Sequence, residues 1–305
     1  MGPGREFDLI RRLVRGWGDR AVGIGDDAAI LRVPEGARLV VTTDTAVERV
    51  HFRRDWCSPN EIGYRATVAA VSDLAAMAAA PLGLLVALAI PEGDLTMVGA
   101  LADGIGEAAG ASGTVIVGGN VTRAGELSLT TTALGHTVQP LVRSGARPGQ
   151  VVYVTGRFGG PAAAVESWLA GTEPNAEWRA RYVQPRARIA EGQWLARHGA
   201  TAAIDVSDGL LADLEHVATA SRVDIEVALD QLPLISGVEL ERAARGGDEY
   251  ELAATGPPNL DREAFRAEFG IPLTPIGSVT DGEPSLRATL HGVRVAPGGG
   301  WNHFS

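Results

Sequence analysis

Apolar residues recur along this chain first with helical and then with strand spacing, and that alternation sets the expected order of elements. Spacing of three and four residues predicts a helix over 6–15, followed by a Gly-rich loop at 23–27 and a strand over 39–43. Ser58-Pro59 reads as a helix start, with Ser as the cap and Pro in the first turn, and the helix is expected to run toward Ala80-Pro81. The apolar run Leu82 to Ile90 predicts a buried strand. A helix over 95–111 and strands over 114–117 and 127–137 complete the first lobe. Around 143–150 the chain becomes rich in Gly, Pro and Arg, which places a boundary near residue 145 and gives expected domains at 1–145 and 146–305. The second lobe is expected to hold a strand over 151–154 and helices over 161–170, 185–197 and 208–221. Strands over 202–205, 223–227 and 249–255, a helix over 261–269 and short final strands follow. Strands and helices alternate, so the fold class is α/β (α+β) in two lobes.

Composition narrows the chemistry. The chain has 305 residues, 45% of them hydrophobic, enough to bury more than one modest core. The run 82–90 is far shorter than the roughly 20 residues that cross a bilayer. Residues 1–7 carry no apolar stretch of the secretory kind. No membrane segment is expected, and the expected location is cytoplasmic. A single cysteine, Cys57, rules out an internal disulfide or a cysteine zinc cluster within the chain. The formal charge is −10 with no basic patch, which argues against a nucleic-acid partner. All 27 basic residues are Arg, so neither a Schiff-base lysine nor a P-loop lysine exists here. An acidic protein still binds polyphosphate where divalent cations stand between its carboxylates and the ligand.

Five short segments supply such carboxylates beside small residues: Gly25-Asp26-Asp27, Thr42-Thr43-Asp44, Ser72-Asp73, Asp205-Val206-Ser207-Asp208 and Gly247-Asp248-Glu249. Mg²⁺ takes hard oxygen ligands and keeps several waters, so one or two protein carboxylates per ion suffice. Read singly, Asp73 and Asp208 fit helix N-caps, Asp26 and Asp27 fit a turn, and Asp248 fits a surface charge. Asp44 is set apart by its expected place at the end of a strand among Thr42, Thr43 and Thr45. The turn Thr155-Gly156-Arg157-Phe158-Gly159-Gly160 reads either as a backbone cradle for a phosphate or as a plain tight turn.

Eight segments occur in one order: GIGDDAA at 23–29, TTDTAVERVHF at 42–52, SDLAAM at 72–77, GGNVTR at 118–123, RSGARPGQ at 143–150, DVSDGL at 205–210, GGDEYEL at 246–252 and GWNHF at 300–304. Together they resemble the thiamine-monophosphate kinase family, within the aminoimidazole ribonucleotide synthetase-like superfamily. The resemblance implies an N-terminal lobe whose strands form a β-barrel across a homodimer, and a C-terminal α/β lobe. It implies ATP and thiamine monophosphate as substrates, with Mg²⁺. By motif, Asp27, Thr43, Asp44, Asp73, Asn120, Asp205 and Asp208 would hold the metal, and Thr42, Thr43, Gly118, Gly119, Asn120, Arg143 and Ser207 the nucleotide. His51, Asp248 and Trp301 would meet the thiamine phosphate, and Asp208 and Arg143 would serve catalysis. The expected chemistry is direct in-line attack of the thiamine phosphate oxygen on ATP, which needs positioning and charge neutralisation more than covalent help.

Four positions depart from the family pattern. Asn120 stands where a metal-binding Asp is usual, Asp248-Glu249 reverses the usual Glu-Asp, Arg49 replaces a Gly, and Trp301-Asn302 replaces Tyr-Asp. These keep three alternatives open: a superfamily member with another acceptor, a catalytically weakened nucleotide-binding protein, and a metal-dependent hydrolase.

Overall fold

A computed structural model describes residues 5–296, with side chains from residue 8 onward; the GWNHF segment, Trp301 included, lies outside the described residues. The fold divides into two units. One comprises the chain up to Leu74 with Ala80–Val138, and the other Ala75–Ala79 with the chain from Gln139 on.

The first unit contains α1 (Arg5–Trp17), β1 (Arg38–Val47), α2 (Pro59–Ala76), β2 (Ala80–Ile90), α3 (Val98–Ala111), β3 (Ile116–Arg123) and β4 (Ser128–Thr137). Its strands form a four-stranded sheet in the order β1-β4-β2-β3, with β2–β3 parallel and the other pairs antiparallel. The sheet is open, with β1 and β3 at its edges; among the described residues no closed barrel is present. One face is buried, through Leu84, Val86, Leu88 and Ile90 of β2 and Leu129, Thr131 and Ala133 of β4. Helix α2 starts as expected at Ser58-Pro59. The Ser58 hydroxyl and the Glu61 carboxylate exchange hydrogen bonds with each other's backbone N–H, a capping box that satisfies two donors at the helix start. Helices α2 and α3 touch backbone to backbone through Gly63 and Gly104. A Cβ at Gly104 would lie 1.9 Å from the Asn60 carbonyl oxygen, so nothing larger fits.

The second unit contains β5 (Val151–Thr155), α4 (Gly160–Leu169), α5 (Ala176–Val183), α6 (Ile189–Arg197), β6 (Ala202–Asp205), α7 (Leu210–Ser221), β7 (Asp224–Ala228), α8 (Leu240–Arg245), β8 (Leu252–Gly256), α9 (Arg262–Phe269), β9 (Leu273–Thr280), β10 (Ser285–Leu290) and β11 (Val293–Val295). A seven-stranded mixed sheet runs β11-β10-β7-β9-β5-β8-β6. Both faces are covered. Val152, Val154 and Ile204 pack with Leu210, Leu214 and Val217 of α7, while Tyr153, Leu252 and Leu273 pack with Trp194 of α6 and Phe265 of α9. This is a mixed α/β unit with helices on both sides of its sheet.

Several expected bounds shift, each for a local reason. β1 continues through Val47, so Asp44 lies inside the strand opposite Thr131 and does not end it. Paired hydroxyls extend the ladder there, Thr43 with Thr132 at 3.1 Å and Thr45 with Thr130 at 2.9 Å. β3 runs on to Arg123 and takes Gly118, Gly119 and Asn120 into the sheet. Asp73 is no N-cap, because α2 has three residues still to run. Asp208 also precedes the helix it was expected to cap: Gly209 takes a φ of 121° and α7 starts at Leu210. β8 begins only at Leu252, after Asp248 and Tyr250 take positive φ. The helix expected from Pro185 begins at Ile189. It is preceded by α5, whose start the Asn175 side chain caps by accepting from the Trp178 N–H.

One buried pair anchors this unit. Arg188 grips Glu251 with two bonds, Nε to Oε2 at 2.8 Å and Nη2 to Oε1 at 2.5 Å, and both side chains are all but inaccessible. Thr155 and Arg181 donate to the same carboxylate at 2.7 and 3.1 Å. Removing one partner strands a buried charge. Arg188→Ala is therefore expected to lower stability by about 3–5 kcal/mol. Arg53→Ala, which breaks an exposed pair with Asp55, should leave stability nearly unchanged. Urea denaturation of the two variants checks the ordering.

Candidate active site

In the first unit the acidic motifs gather around β1. Strand alternation turns Thr42 and Asp44 to one face and Thr43 to the other, where its hydroxyl meets Thr132. Thr42 donates its hydroxyl hydrogen to the Asp73 carboxylate. Asp73 stands in the last turn of α2, where the helix dipole disfavours negative charge by roughly 0.3–1 kcal/mol. A carboxylate held there against the dipole is suited to a cation. The loop carrying Asp27 is exposed and is tied beside β3 by a bond from the Val22 N–H to the Ile116 carbonyl at 2.9 Å. Gly119 on β3 lies so close to β2 that a Cβ would come within 1.9 Å of the Val86 carbonyl oxygen. Next to it, Asn120 is exposed opposite Ala87.

His51 accepts a hydrogen bond at Nδ1 from the Val47 N–H, 3.0 Å away. A backbone N–H can only donate, so Nδ1 is unprotonated and the neutral ring carries its proton on Nε2. That nitrogen is a donor, the role a phosphate oxygen needs. Arg49, two residues earlier, takes φ 64°, which explains why a Gly suits this position.

In the second unit two motifs distant in sequence are laced together. The N–H of Asp248 donates to the Ser207 carbonyl at 2.8 Å, and that of Tyr250 to the Val206 carbonyl at 2.9 Å. The segments 205–208 and 246–251 thus share one end of the sheet. Beside them is a carboxylate that the sequence reading did not single out. Asp213 accepts from three successive backbone N–H groups, those of Ser207, Asp208 and Gly209, at 3.1, 3.2 and 3.2 Å. Burial, and then the charges of Asp205 and Asp208, push its carboxyl up to about 7 despite those bonds. Its only sequence signal was its place in the first turn of the helix after DVSDG, the spacing from which a side chain reaches back to N-terminal amides.

Backbone amides at both Gly-bearing turns of this unit are taken from within. Asp213 fills the amides at 207–209. In the turn 155–160 the N–H groups of Gly156, Phe158 and Gly159 donate to Pro272, Pro233 and Glu249. Three of that turn's amides are thus taken within the protein, which favours the tight-turn reading. Arg143 sits elsewhere. Its carbonyl is bonded by Ser221 at the far end of α7, so the chain there is about 18 Å from Asp208 along a 12-residue helix, beyond direct contact.

Crowded carboxylates gain from a hard divalent cation, so the donor chemistry fits Mg²⁺. Among the described residues no three acidic, His or Cys side chains form a ready-made cage. One or two carboxylates per ion, completed by phosphate and water, is the arrangement these residues can offer.

Family models match both units: AIR synthase related protein, N-terminal domain over residues 25–137, and its C-terminal domain over 147–288. Fold and acidic turns thus define a two-domain AIR synthase related protein. Thiamine-monophosphate kinase of Salmonella typhimurium is 37% identical over 322 residues, 99% of this chain and 96% of that protein. The crystal structure of thiamine-monophosphate kinase from Stenotrophomonas maltophilia matches with a TM-score of 0.84 and 35% identity, over 95% of this chain and 98% of that one. A structure of AaThiL complexed with AMPPCP and TMP matches with a TM-score of 0.78 and 30% identity, over 98% and 96%. The chain belongs to the thiamine-monophosphate kinase family.

Asp213 yields a pH prediction. Its folded-state value lies above the ordinary 3.8, so folding favours the protonated form. Its contribution to stability is full below that value and is lost as pH rises toward about 7. Asp213→Asn should remove this loss in metal-free protein. The difference in urea midpoint between variant and parent is expected to grow in the variant's favour between those two pH values.

Proposed function

We propose that this chain transfers the γ-phosphoryl group of ATP to the phosphate of thiamine monophosphate, giving thiamine diphosphate and ADP. The observation that carries this reading is likeness to thiamine-monophosphate kinases over nearly the whole chain, including a relative solved with AMPPCP and TMP. Asp27, Asp44, Asp73 and Asn120 of the first unit, and Asp205 and Asp208 of the second, would hold Mg²⁺, whereas the Thr43 hydroxyl, expected among them, turns to the opposite face and meets Thr132. Bound there, Mg²⁺ supplies charge neutralisation on the phosphate oxygens. Thr42 keeps Asp73 oriented by donating to it. Thr42, Thr43, Gly118, Gly119, Arg143 and Ser207 would hold the nucleotide.

The acceptor is already an anion at neutral pH, since a phosphate ester's second pKa is about 6, so no strong general base is required. The chain's task is to bring two anions into line. His51 would donate from Nε2 to the acceptor phosphate, and Asp248 would lie near the thiamine rings, as would Trp301, which is outside the described residues. The same reading makes the protein a homodimer working in the cytoplasm, where its ATP is supplied. Support for the dimer is the outer face of the open sheet. Leu39 and Val41 there are 51% and 55% exposed, and Val41 pairs across to Leu134. A second copy covering this face would close the barrel.

Chromatography of reactions with ATP, Mg²⁺ and thiamine monophosphate should show thiamine diphosphate from the parent. Asp44→Asn should reduce its formation by about a hundredfold or more, as loss of one metal carboxylate implies. Phosphate release without diphosphate, or ATP binding without turnover, would reject the kinase reading. Light scattering should give a dimer mass for the parent and a monomer mass for Val41→Glu, because a carboxylate on that face cannot be buried unpaired.

A further inference from the structure

The segment 246–251 is wound in an unusual way. Asp248 and Tyr250, neither of them glycine, both occupy the left-handed region, at φ 63° and 52°, with Glu249 between them. Such residues are strained and persist only where their surroundings hold them. Their amides are held by Ser207 and Val206, and the Tyr250 hydroxyl donates to Asp248 Oδ1 at 3.0 Å.

Glu249 supplies the third hold, from the opposite side. Its side chain is buried, 5% exposed, and Oε1 accepts from the Gly159 N–H at the start of α4. Oε2 finds no hydrogen-bond partner. Gly159 admits no side chain: its φ is 99° and a Cβ there would lie 2.2 Å from Val238. Burial above all pushes Glu249 well above the carboxylate range. The Gly159 N–H and Arg181 pull it down, and Glu251 and Asp248 push it further up. A neutral acid that bonds through one oxygen is what the geometry requires here, since a charged one would leave an uncompensated buried anion.

We propose that Glu249 is a positioning residue whose bond to the Gly159 N–H pins this left-handed turn, and so sets where Asp248 stands toward the thiamine end of the acceptor. The inference rests on the reading of Asp248 as a substrate contact. It also gives the reversed Asp248-Glu249 order a physical meaning. In this chain the longer side chain reaches inward to α4, and the shorter one faces the substrate.

Three substitutions separate pinning from bulk. Glu249→Met keeps the volume and deletes the acceptor, Glu249→Asp withdraws it by one methylene, and Glu249→Gln keeps a neutral acceptor of the same length. The expected result is a rise of about tenfold in KM for thiamine monophosphate in the Met variant, with KM for MgATP changed by less than about threefold. The Asp variant should fall between, and the Gln variant should restore the parent value. If the Met variant does not fold, the Asp and Gln variants decide by the same comparison.

Hydrogen exchange at the Asp248 and Tyr250 amides should speed up by about tenfold or more in the Met and Asp variants and not in the Gln variant. Equal rises in both KM values, no rescue by Gln, or unchanged exchange at these amides would overturn the proposal. If the parent makes no thiamine diphosphate, the kinase reading fails by itself and the exchange measurement alone decides whether Glu249 pins the turn.

Discussion

The second unit is organised around one buried carboxylate. Glu251 lies at the point where the 246–252 segment turns into β8, and Arg188, Arg181 and Thr155 all donate to it. Burying a carboxylate is costly unless its oxygens are satisfied, and a bidentate arginine with two further donors meets that condition. The consequence extends beyond the pair. With Glu251 fixed, the residues before it are led past the 205–208 turn, and the amides of Asp248 and Tyr250 fall on its carbonyls. Two acidic motifs some 40 residues apart thereby become neighbours.

What is assembled is unfavourable by itself. Burial first, and then the charges of Asp205 and Asp208, push the Asp213 carboxyl up to about 7. In the first unit Asp73 faces the negative end of its own helix. A chain with 27 arginines and no lysine has counter-ions available for its carboxylates, yet what pushes the Asp213 carboxyl up is burial and then the charges of Asp205 and Asp208. Stored repulsion of this kind is relieved by a divalent cation. The amides at 207–209 are taken by Asp213 and that of Gly159 by Glu249.

Much of this was legible in the linear chain. Helix and strand identity followed from spacing, because periods of 3.6 and 2 leave their mark in any amphipathic element. The Ser58-Pro59 start held because a capping box is local, its four residues satisfying one another without outside help. The acidic motifs and the family likeness were equally local patterns. The expected end of β1 at Thr43 missed because the strand's extension depends on threonines of β4, more than 80 residues away, which supply cross-strand hydroxyls.

The sequence by itself determined which segments carry carboxylates, that no lysine takes part, and that two α/β units follow one another. Only the tertiary structure decided which donors were still free. The Gly-rich turn at 155–160 looks open in sequence, and its amides are in fact taken by Pro272, Pro233 and Glu249 from remote parts of the chain. Asp213 and Glu251 look like ordinary acidic residues until burial and their partners are known. A hydrogen bond or a charge acquires its energy from what surrounds it, and one-dimensional spacing does not encode surroundings supplied by residues that meet only on folding.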